Sequence, residues 1–247
     1  GGIKEPVGMN GVRLQAQVHL VTAATTSVQN IVKCAERSNL HVAEVVLEPL
    51  ASADAVLEND EKEIGVALVD IGGGTSDIVI YVDGAVVHTS VIPMGGINVT
   101  NDIAHYFRTP MAEAERVKIK YGCASPSLVD PDEQIEVPSV GGRAARTVAR
   151  ADLCNVIEPR VEEMFQAVAH ALEQGGFSDK IASGIVVTGG AAQIEGLVPI
   201  AEQILGMQVR LGAPTGIGGL VDVVRSSSYA TAVGLAKYGA VKVRGRP

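Results

Sequence analysis

The sequence predicts an α/β protein in which a sheet layer carries an inserted subdomain. Three observations support this. Between residues 65 and 92 three apolar runs are separated by glycine-containing turns, the pattern of a three-stranded meander. Residues 98–172 then read as helices around a stretch rich in Pro, Gly and Ser. From residue 185 onward strand, helix, strand and helix alternate, which suits a layered sheet better than a bundle or sandwich.

Residues 12–20 alternate apolar and polar side chains, as a half-buried strand does. Residues 25–39 place Val28, Ile31, Val32 and Ala35 on one helical face. A short strand is expected over 42–47, and Pro49 precedes a helix of small residues over 51–57. The acidic run 58–63, which includes Asn59 and Lys62, reads as a solvated loop. Asp83-Gly84 is a strong two-residue hairpin signal, and residues 86–92 form the third strand of the meander. Gly95-Gly96 ends that pattern, and helices follow over 98–107 and 111–121. The second of these opens with Thr109 as N-cap and Pro110 at the first helical position. Within 123–150 only short β-like pieces such as 134–137 stand out. Residues 151–172 carry apolar side chains at 153, 157, 161, 164, 168 and 172, a long helix interrupted or restarted at Pro159. A strand over 185–188, a helix over 196–205, a strand over 208–211 and a small-residue helix over 229–238 complete the order.

The 247 residues allow one large domain or two smaller ones. With 47% hydrophobic and 19% charged residues the chain is globular, not disordered. Trp is absent and aromatics are scarce, against base stacking, and a net charge of −8 argues against general nucleic-acid affinity. Cys34, Cys123 and Cys154 are odd in number and far apart. They suggest reduced thiols in a cytosolic compartment, without a disulfide framework or zinc spacing. No apolar stretch approaches a membrane span and no signal peptide is visible. The chain opens with Gly-Gly rather than Met, so it is expected to be a fragment.

The most informative stretch is Val69-Asp70-Ile71-Gly72-Gly73-Gly74-Thr75-Ser76-Asp77. Two strands joined by this turn place Asp70 at the end of the first and Gly72, Gly73, Gly74 and Thr75 at a hairpin tip. Glycines let backbone N–H groups approach a polyanion closely. A carboxylate beside such a nest makes sense if a hydrated divalent cation sits between it and phosphate. The plain alternative is a glycine-rich β-turn. Thr188-Gly189-Gly190-Ala191 is a second strand ending in glycines. It is either a structural turn or a place where backbone lies flat along a planar ligand such as adenine, since nucleotides sit outside strand ends in open α/β sheets. Glu115 and Lys118 are three residues apart on one helix face, suited to the two hydroxyls of a ribose or to an ordinary salt bridge. The five histidines, His19, His41, His88, His105 and His170, share no pattern.

In order, Glu48-Pro49 before a small helix, the Asp70–Asp77 hairpin, Glu115 with Lys118, Thr188-Gly189-Gly190, and Tyr229-Ala230-Thr231-Ala232-Val233-Gly234 resemble the superfamily of actin, sugar kinases and heat-shock-chaperone ATPases. Within it the chain resembles the FtsA family of bacterial cell-division proteins. Gly2-Ile3-Lys4-Glu5-Pro6-Val7-Gly8, residues 12–20, Val137-Pro138-Ser139-Val140-Gly141-Gly142-Arg143, Ile157-Glu158-Pro159-Arg160 and residues 185–197 carry the likeness along nearly the whole chain.

The resemblance implies an actin-like (ribonuclease-H-like) ATPase fold: one near-complete lobe with an inserted subdomain, plus part of the other lobe. Residues 1–22 would end the family-specific subdomain, 23–62 would belong to the first lobe, and 63–97 with 183–247 to the second. Residues 98–182 would be the insertion that binds the FtsZ C-terminal peptide. ATP and Mg2+ are the implied cofactors. Asp70 would face the metal and its waters, and Gly72, Gly73, Gly74 and Thr75 would wrap the β- and γ-phosphates. Glu48 would lie near the γ-phosphate, Glu115 and Lys118 would hold the ribose, and Gly189, Gly190 and Ala191 would line the adenine. Asp77 would support the hairpin or the metal's surroundings, or be purely structural.

The resemblance offers no general base beyond Glu48 and Asp70, so any ATP hydrolysis would be slow. Arg143, Arg146, Arg150 and Arg160 are the basic concentration of the insertion, suited to an acidic peptide or simply scattered in solvent. The implied role is a scaffold that polymerises, links the FtsZ ring to the cytoplasmic face of the inner membrane at the septum, and recruits later divisome proteins. Family members begin with another phosphate loop and end in an amphipathic membrane helix; both are expected outside this chain, which is expected to be soluble and less stable for it. A small-molecule kinase or a pilus-assembly ATPase of the same superfamily is the alternative.

Overall fold

The computed structural model describes residues 3, 7–13, 15, 16, 18–219 and 221–244. The chain divides into two compact units, Gly1–His41 and Val42–Pro247. In the first, helix α1 (Thr25–Arg37) forms where the apolar period placed it, and the Ser38 hydroxyl past its end donates to the Cys34 carbonyl at 3.1 Å. The strand expected over 12–20 falls partly outside the described residues. Those described there (12, 13, 15, 16 and 18–20) form no strand. Alternation favours extended chain, but a strand also needs a neighbour for its N–H and C=O groups.

The second unit is built on a five-stranded sheet. Strands β1 (Val66–Ile71), β2 (Ser76–Val82) and β3 (Ala85–Ile92) form the expected antiparallel meander. Asp83 and Gly84 in its second turn have φ of 53° and 76°, as a tight two-residue hairpin requires. A separate hairpin pairs β4 (Gln134–Val137) with β5 (Arg146–Ala149). Strands β6 (Ile185–Thr188) and β7 (Val209–Leu211) then join the sheet in parallel with β1, giving the order β3-β2-β1-β6-β7.

Period-two alternation sends the side chains of β1 into two cores. Val66 and Leu68 pack with Val79, Tyr81 and Val186 under helices α2 (Glu48–Val56) and α9 (Ala230–Arg244). Ala67, Val69 and Ile71 pack with Ile78, Ile80, Ile185 and Val187 on the opposite face. That face is covered by residues of α4 (Gly96–Phe107), α5 (Met111–Tyr121), α6 (Arg150–Gly175) and α7 (Leu197–Leu205). With both faces covered, the central strands read as continuous apolar runs. Helices α2 and α9 cross so closely that a Cβ added at Gly234 would lie 1.7 Å from the Ala51 carbonyl oxygen.

Four expectations are corrected. Residues 42–47 form no strand; instead the Glu44 carboxylate accepts from the Tyr238 hydroxyl at 2.8 Å, fastening an extended segment to α9. The acidic run is a helix, α3 (Asn59–Ile64), because Glu58 and Glu61 form a reciprocal capping box and Arg210 pairs with Glu61 at 2.6 Å. Helices α2 and α3 lie in the compact unit that begins at Val42. Thr109 does not cap α5: Pro110 takes the N-cap position with φ of −60° and ψ of 146°, and the buried Thr109 hydroxyl has no partner. Helix α6 runs unbroken through Pro159. A proline costs about 3 kcal/mol, whereas each buried side chain such as Ile157, Val161, Phe165 or Leu172 contributes about 1.5–3 kcal/mol, so the buried face prevails. Helix α8 (Val221–Val224) and β5 had no clear sequence signal.

Candidate functional site

At the carboxyl end of β1 the apolar alternation is broken by polar residues. Asp70 pairs in register with Asp77 on β2 and with Thr188 on β6, so all three side chains share the face turned to α2 and α9. Asp70 is buried, and its Oδ2 accepts from the Ser52 hydroxyl of α2 at 2.5 Å. The Ser52 hydroxyl is in turn 2.9 Å from the Thr231 hydroxyl of α9. Burial pushes the Asp70 carboxyl above its ordinary range and Asp77 adds repulsion, against the lowering bonds from Ser52 and Thr231. Glu48, at the start of α2, is raised by burial and then by the charges of Asp70 and Asp77, with a bond from Thr231 opposing.

A partly buried carboxylate with two more acidic groups beside it fits a cation. Among the described residues no group of three His, Cys, Asp or Glu side chains could hold a metal. Asp70, with Glu48 and Asp77 beside it, would suit a hard ion that keeps most of its water and takes its other ligands from phosphate.

The glycine turn stands directly beyond Asp70. It is closed by the Gly72 N–H donating to the Thr75 carbonyl at 2.9 Å, and the Thr75 hydroxyl donates to Asp77 Oδ2 at 2.9 Å. Gly73, Gly74 and Thr75 are exposed at the tip. The turn is also bonded to the first turn of α4: the Gly96 N–H donates to the Gly72 carbonyl at 2.9 Å, and the Ile97 N–H to that of Gly73 at 2.7 Å. That approach requires a glycine at position 95, where a Cβ would lie 2.7 Å from the Gly72 oxygen.

The second glycine turn lies against the first. Gly189 has φ of 93°, and a Cβ there would meet Asp70 Oδ1 at 2.5 Å and the Ile71 carbonyl oxygen at 2.4 Å. The Ser227 hydroxyl donates to the Gly189 carbonyl at 2.8 Å, and Thr188 donates to that of Gly212 at 2.9 Å. A Cβ at Gly96 would stand 3.2 Å from Lys118 Nζ and 3.3 Å from Ala191 Cβ, so the start of α4 lies between α5 and the second turn.

Lys118 Nζ donates to the Gly96 carbonyl at 3.0 Å and to the Thr100 hydroxyl at 2.9 Å, and pairs with Glu115 Oε2 at 2.8 Å. Thr100 also donates to that same Glu115 oxygen. Burial works to raise the Glu115 carboxyl, but the bonds from Lys118 and Thr100 outweigh it and hold it below the ordinary range.

A continuous chain of contacts thus joins Glu48, Asp70, Gly72, Gly73, Glu115, Lys118, Gly189 and Ala191, with Gly74, Thr75 and Gly190 on the same turns. Sequence reasoning missed Ser52, Thr231, Thr100 and Gly96. Ser52 had a signal: it stands four residues after Glu48, on the same face of an otherwise small apolar helix.

Two of the four arginines are ion-paired within the chain. Arg150 pairs with Glu133 at 3.0 Å and Glu195 at 2.8 Å and donates to the Tyr121 carbonyl. Arg160 grips Asp102 with two bonds of 2.6 and 3.0 Å and also pairs with Glu163. Arg146 donates to the Phe107 carbonyl, and Arg143 is exposed in the turn between β4 and β5. Carboxylates from other elements neutralise Arg150 and Arg160.

A mixed sheet in this order, with helices on both faces and two glycine turns converging on a strand-end aspartate, defines the actin-like fold. The crystal structure of MreB5 of Spiroplasma citri bound to ADP superimposes with a TM-score of 0.72 at 19% identity, covering 91% of this chain and 69% of that one. The chain belongs to the Cell division protein FtsA family, whose profile matches residues 67–234. It is 53% identical over 241 residues to the Cell division protein FtsA of Pseudomonas aeruginosa and 50% identical over 245 residues to that of Escherichia coli K12. These alignments cover 98% and 96% of the chain, which spans 58% of the length of either relative. The profile of the type IV pilus assembly protein PilM matches residues 7–126. Among the described residues no helix is long and apolar enough to cross a membrane.

Proposed function

We propose that the full-length protein containing this chain binds ATP with Mg2+ between its two glycine turns and acts as an actin-like cell-division scaffold. Asp70 faces the metal and its waters; Gly72, Gly73, Gly74 and Thr75 lie around the β- and γ-phosphates, and Glu48 near the γ-phosphate. Glu115 and Lys118 stand at the ribose, and Gly189, Gly190 and Ala191 along the adenine. The scaffold polymerises and links an FtsZ ring to the cytoplasmic face of the inner membrane, where later divisome proteins join. Residues 98–182 carry the FtsZ peptide, with Arg143 exposed and Arg146 bonded to a backbone carbonyl and not to a carboxylate. Bound Mg2+ would offset the developing negative charge on the phosphates. The chain's own residues orient the ligand, with Glu48 and Asp70 as the acidic groups nearest the phosphates.

The observation that carries this reading is the packing of Gly189 against Asp70 while the Gly72 turn is bonded to α4. It brings both turns and a buried carboxylate to one strand end. Binding of fluorescent Mg-ATP to the full-length protein tests it. A Cβ at Gly73 would meet open space, so Gly73→Asp adds only a charge that repels phosphate. Gly73→Asp and Asp70→Ala should each weaken binding by about 2–4 kcal/mol, roughly 30- to 1,000-fold. Unchanged binding in both would remove the site. The PilM match makes pilus assembly the second reading, and co-precipitation of FtsZ against a pilus component separates the two.

A further inference from the structure

An ammonium group has three N–H bonds to give. In Lys118 all three have acceptors within the protein: the Gly96 carbonyl, the Thr100 hydroxyl and Glu115 Oε2. Its side chain is only 9% exposed. Glu115 is placed differently. Its side chain is 43% exposed, and the bonds from Lys118 and Thr100 both fall on Oε2, which leaves Oε1 for an incoming hydroxyl. Gly96, the residue Lys118 holds, is the one whose own N–H holds the Gly72 carbonyl, and its neighbour Ile97 holds that of Gly73.

We propose that Lys118 is a positioning residue that ties α5 to the first turn of α4 and through it fixes the Gly72–Gly73 tip, while Glu115 alone touches the ribose hydroxyls. This rests on the nucleotide reading above and divides its two ribose-end residues into one that meets the ligand and one that shapes the phosphate turn. It also makes the site a single lever: the groups that recognise the sugar and those that recognise phosphate are joined by three consecutive hydrogen-bonded links through Gly96.

The test pairs protein changes with ligand changes in the full-length protein. Affinities for Mg-ATP, Mg-2′,3′-dideoxyATP and magnesium tripolyphosphate are measured for wild type, Lys118→Met, Thr100→Val and Glu115→Gln. Thr100→Val removes a Lys118 acceptor without touching the ligand, and it serves if Lys118→Met does not fold. Loss of one such bond is read as about a tenfold change. The positioning role predicts that Lys118→Met and Thr100→Val weaken all three ligands by about the same factor. Glu115→Gln should weaken Mg-ATP while leaving the dideoxy nucleotide within about twofold. A Lys118→Met loss that vanishes with dideoxyATP or tripolyphosphate would make Lys118 a ribose contact and overturn the proposal, as would unchanged affinity for all three ligands. If wild type binds none of them, the nucleotide reading itself fails, an outcome distinct from either.

Discussion

Gly234→Ala tests the packing that delivers Ser52 and Thr231 to Asp70. Helix propensity alone favours Ala over Gly by about 1 kcal/mol. At this position the added carbon would stand 1.7 Å from the Ala51 carbonyl oxygen and 2.3 Å from its carbon. Carbon and oxygen do not approach closer than about 3.3 Å, so α9 must retreat from α2 by roughly 1.5 Å. The obstacle is backbone, which no rotamer change relieves, placing the cost near the upper end of the roughly 1–3 kcal/mol range for overpacking. The retreat also breaks the 2.9 Å contact between the Ser52 and Thr231 hydroxyls, another ~1 kcal/mol. After the propensity gain the expected loss is about 2–3 kcal/mol. In a unit of this size that lowers the midpoint of thermal unfolding by about 5–10 °C. Circular dichroism melts of the full-length protein, with and without Mg-ATP, measure both the loss and any weakening of ligand protection. A midpoint equal to or above wild type would show that the contact with Ala51 does not set the helix crossing.

Two further outcomes follow from ion pairs. Arg160→Ala leaves Asp102, itself half-buried, without its two bonds and should cost about 1–2 kcal/mol in urea unfolding, less than a fully buried pair because both side chains retain solvent contact. For Glu61, burial works to raise the carboxyl, but the bonds from Arg210 and the Glu58 N–H outweigh it and hold it below its ordinary range. A folded value below the unfolded one gives stability that is complete above the unfolded value and is lost as pH falls through the folded one. Glu61→Gln should therefore flatten the acid limb of the stability–pH curve and leave its shape near neutrality unchanged.

The parts of the fold legible in the sequence were those fixed by local rules. The period-two runs around Asp70, the Asp83-Gly84 turn and the apolar stripes of α4, α5 and α6 each contain their own explanation. Glycine turns placed after strands marked the site because glycine there answers a backbone demand, as the positive φ of Gly189 shows. What could not be read depends on partners remote in sequence. Helix α3 has no apolar stripe; its cap is local, but Glu61 is anchored by Arg210 from the far edge of the sheet. Arg150 and Arg160 looked like free cations until Glu133, Glu195 and Asp102 were brought beside them. Ser52 and Thr231 meet only because α2 and α9 cross at Gly234, a contact between residues nearly two hundred positions apart.

The central strand has neighbours of very unequal provenance. Strand β2 reaches β1 through a short turn, whereas β6 arrives about 110 residues later. Hairpins close in microseconds, so one side of β1 is satisfied almost at once. During synthesis at about 5–20 residues per second the other side waits on the order of ten seconds for its mate. Through that interval Ala67, Leu68, Val69 and Asp70 present an open, largely aliphatic border to the cell. The nascent chain is therefore most vulnerable to mispairing with other polypeptides while the insertion is still being made, and a chaperone that shields this border would serve it best then.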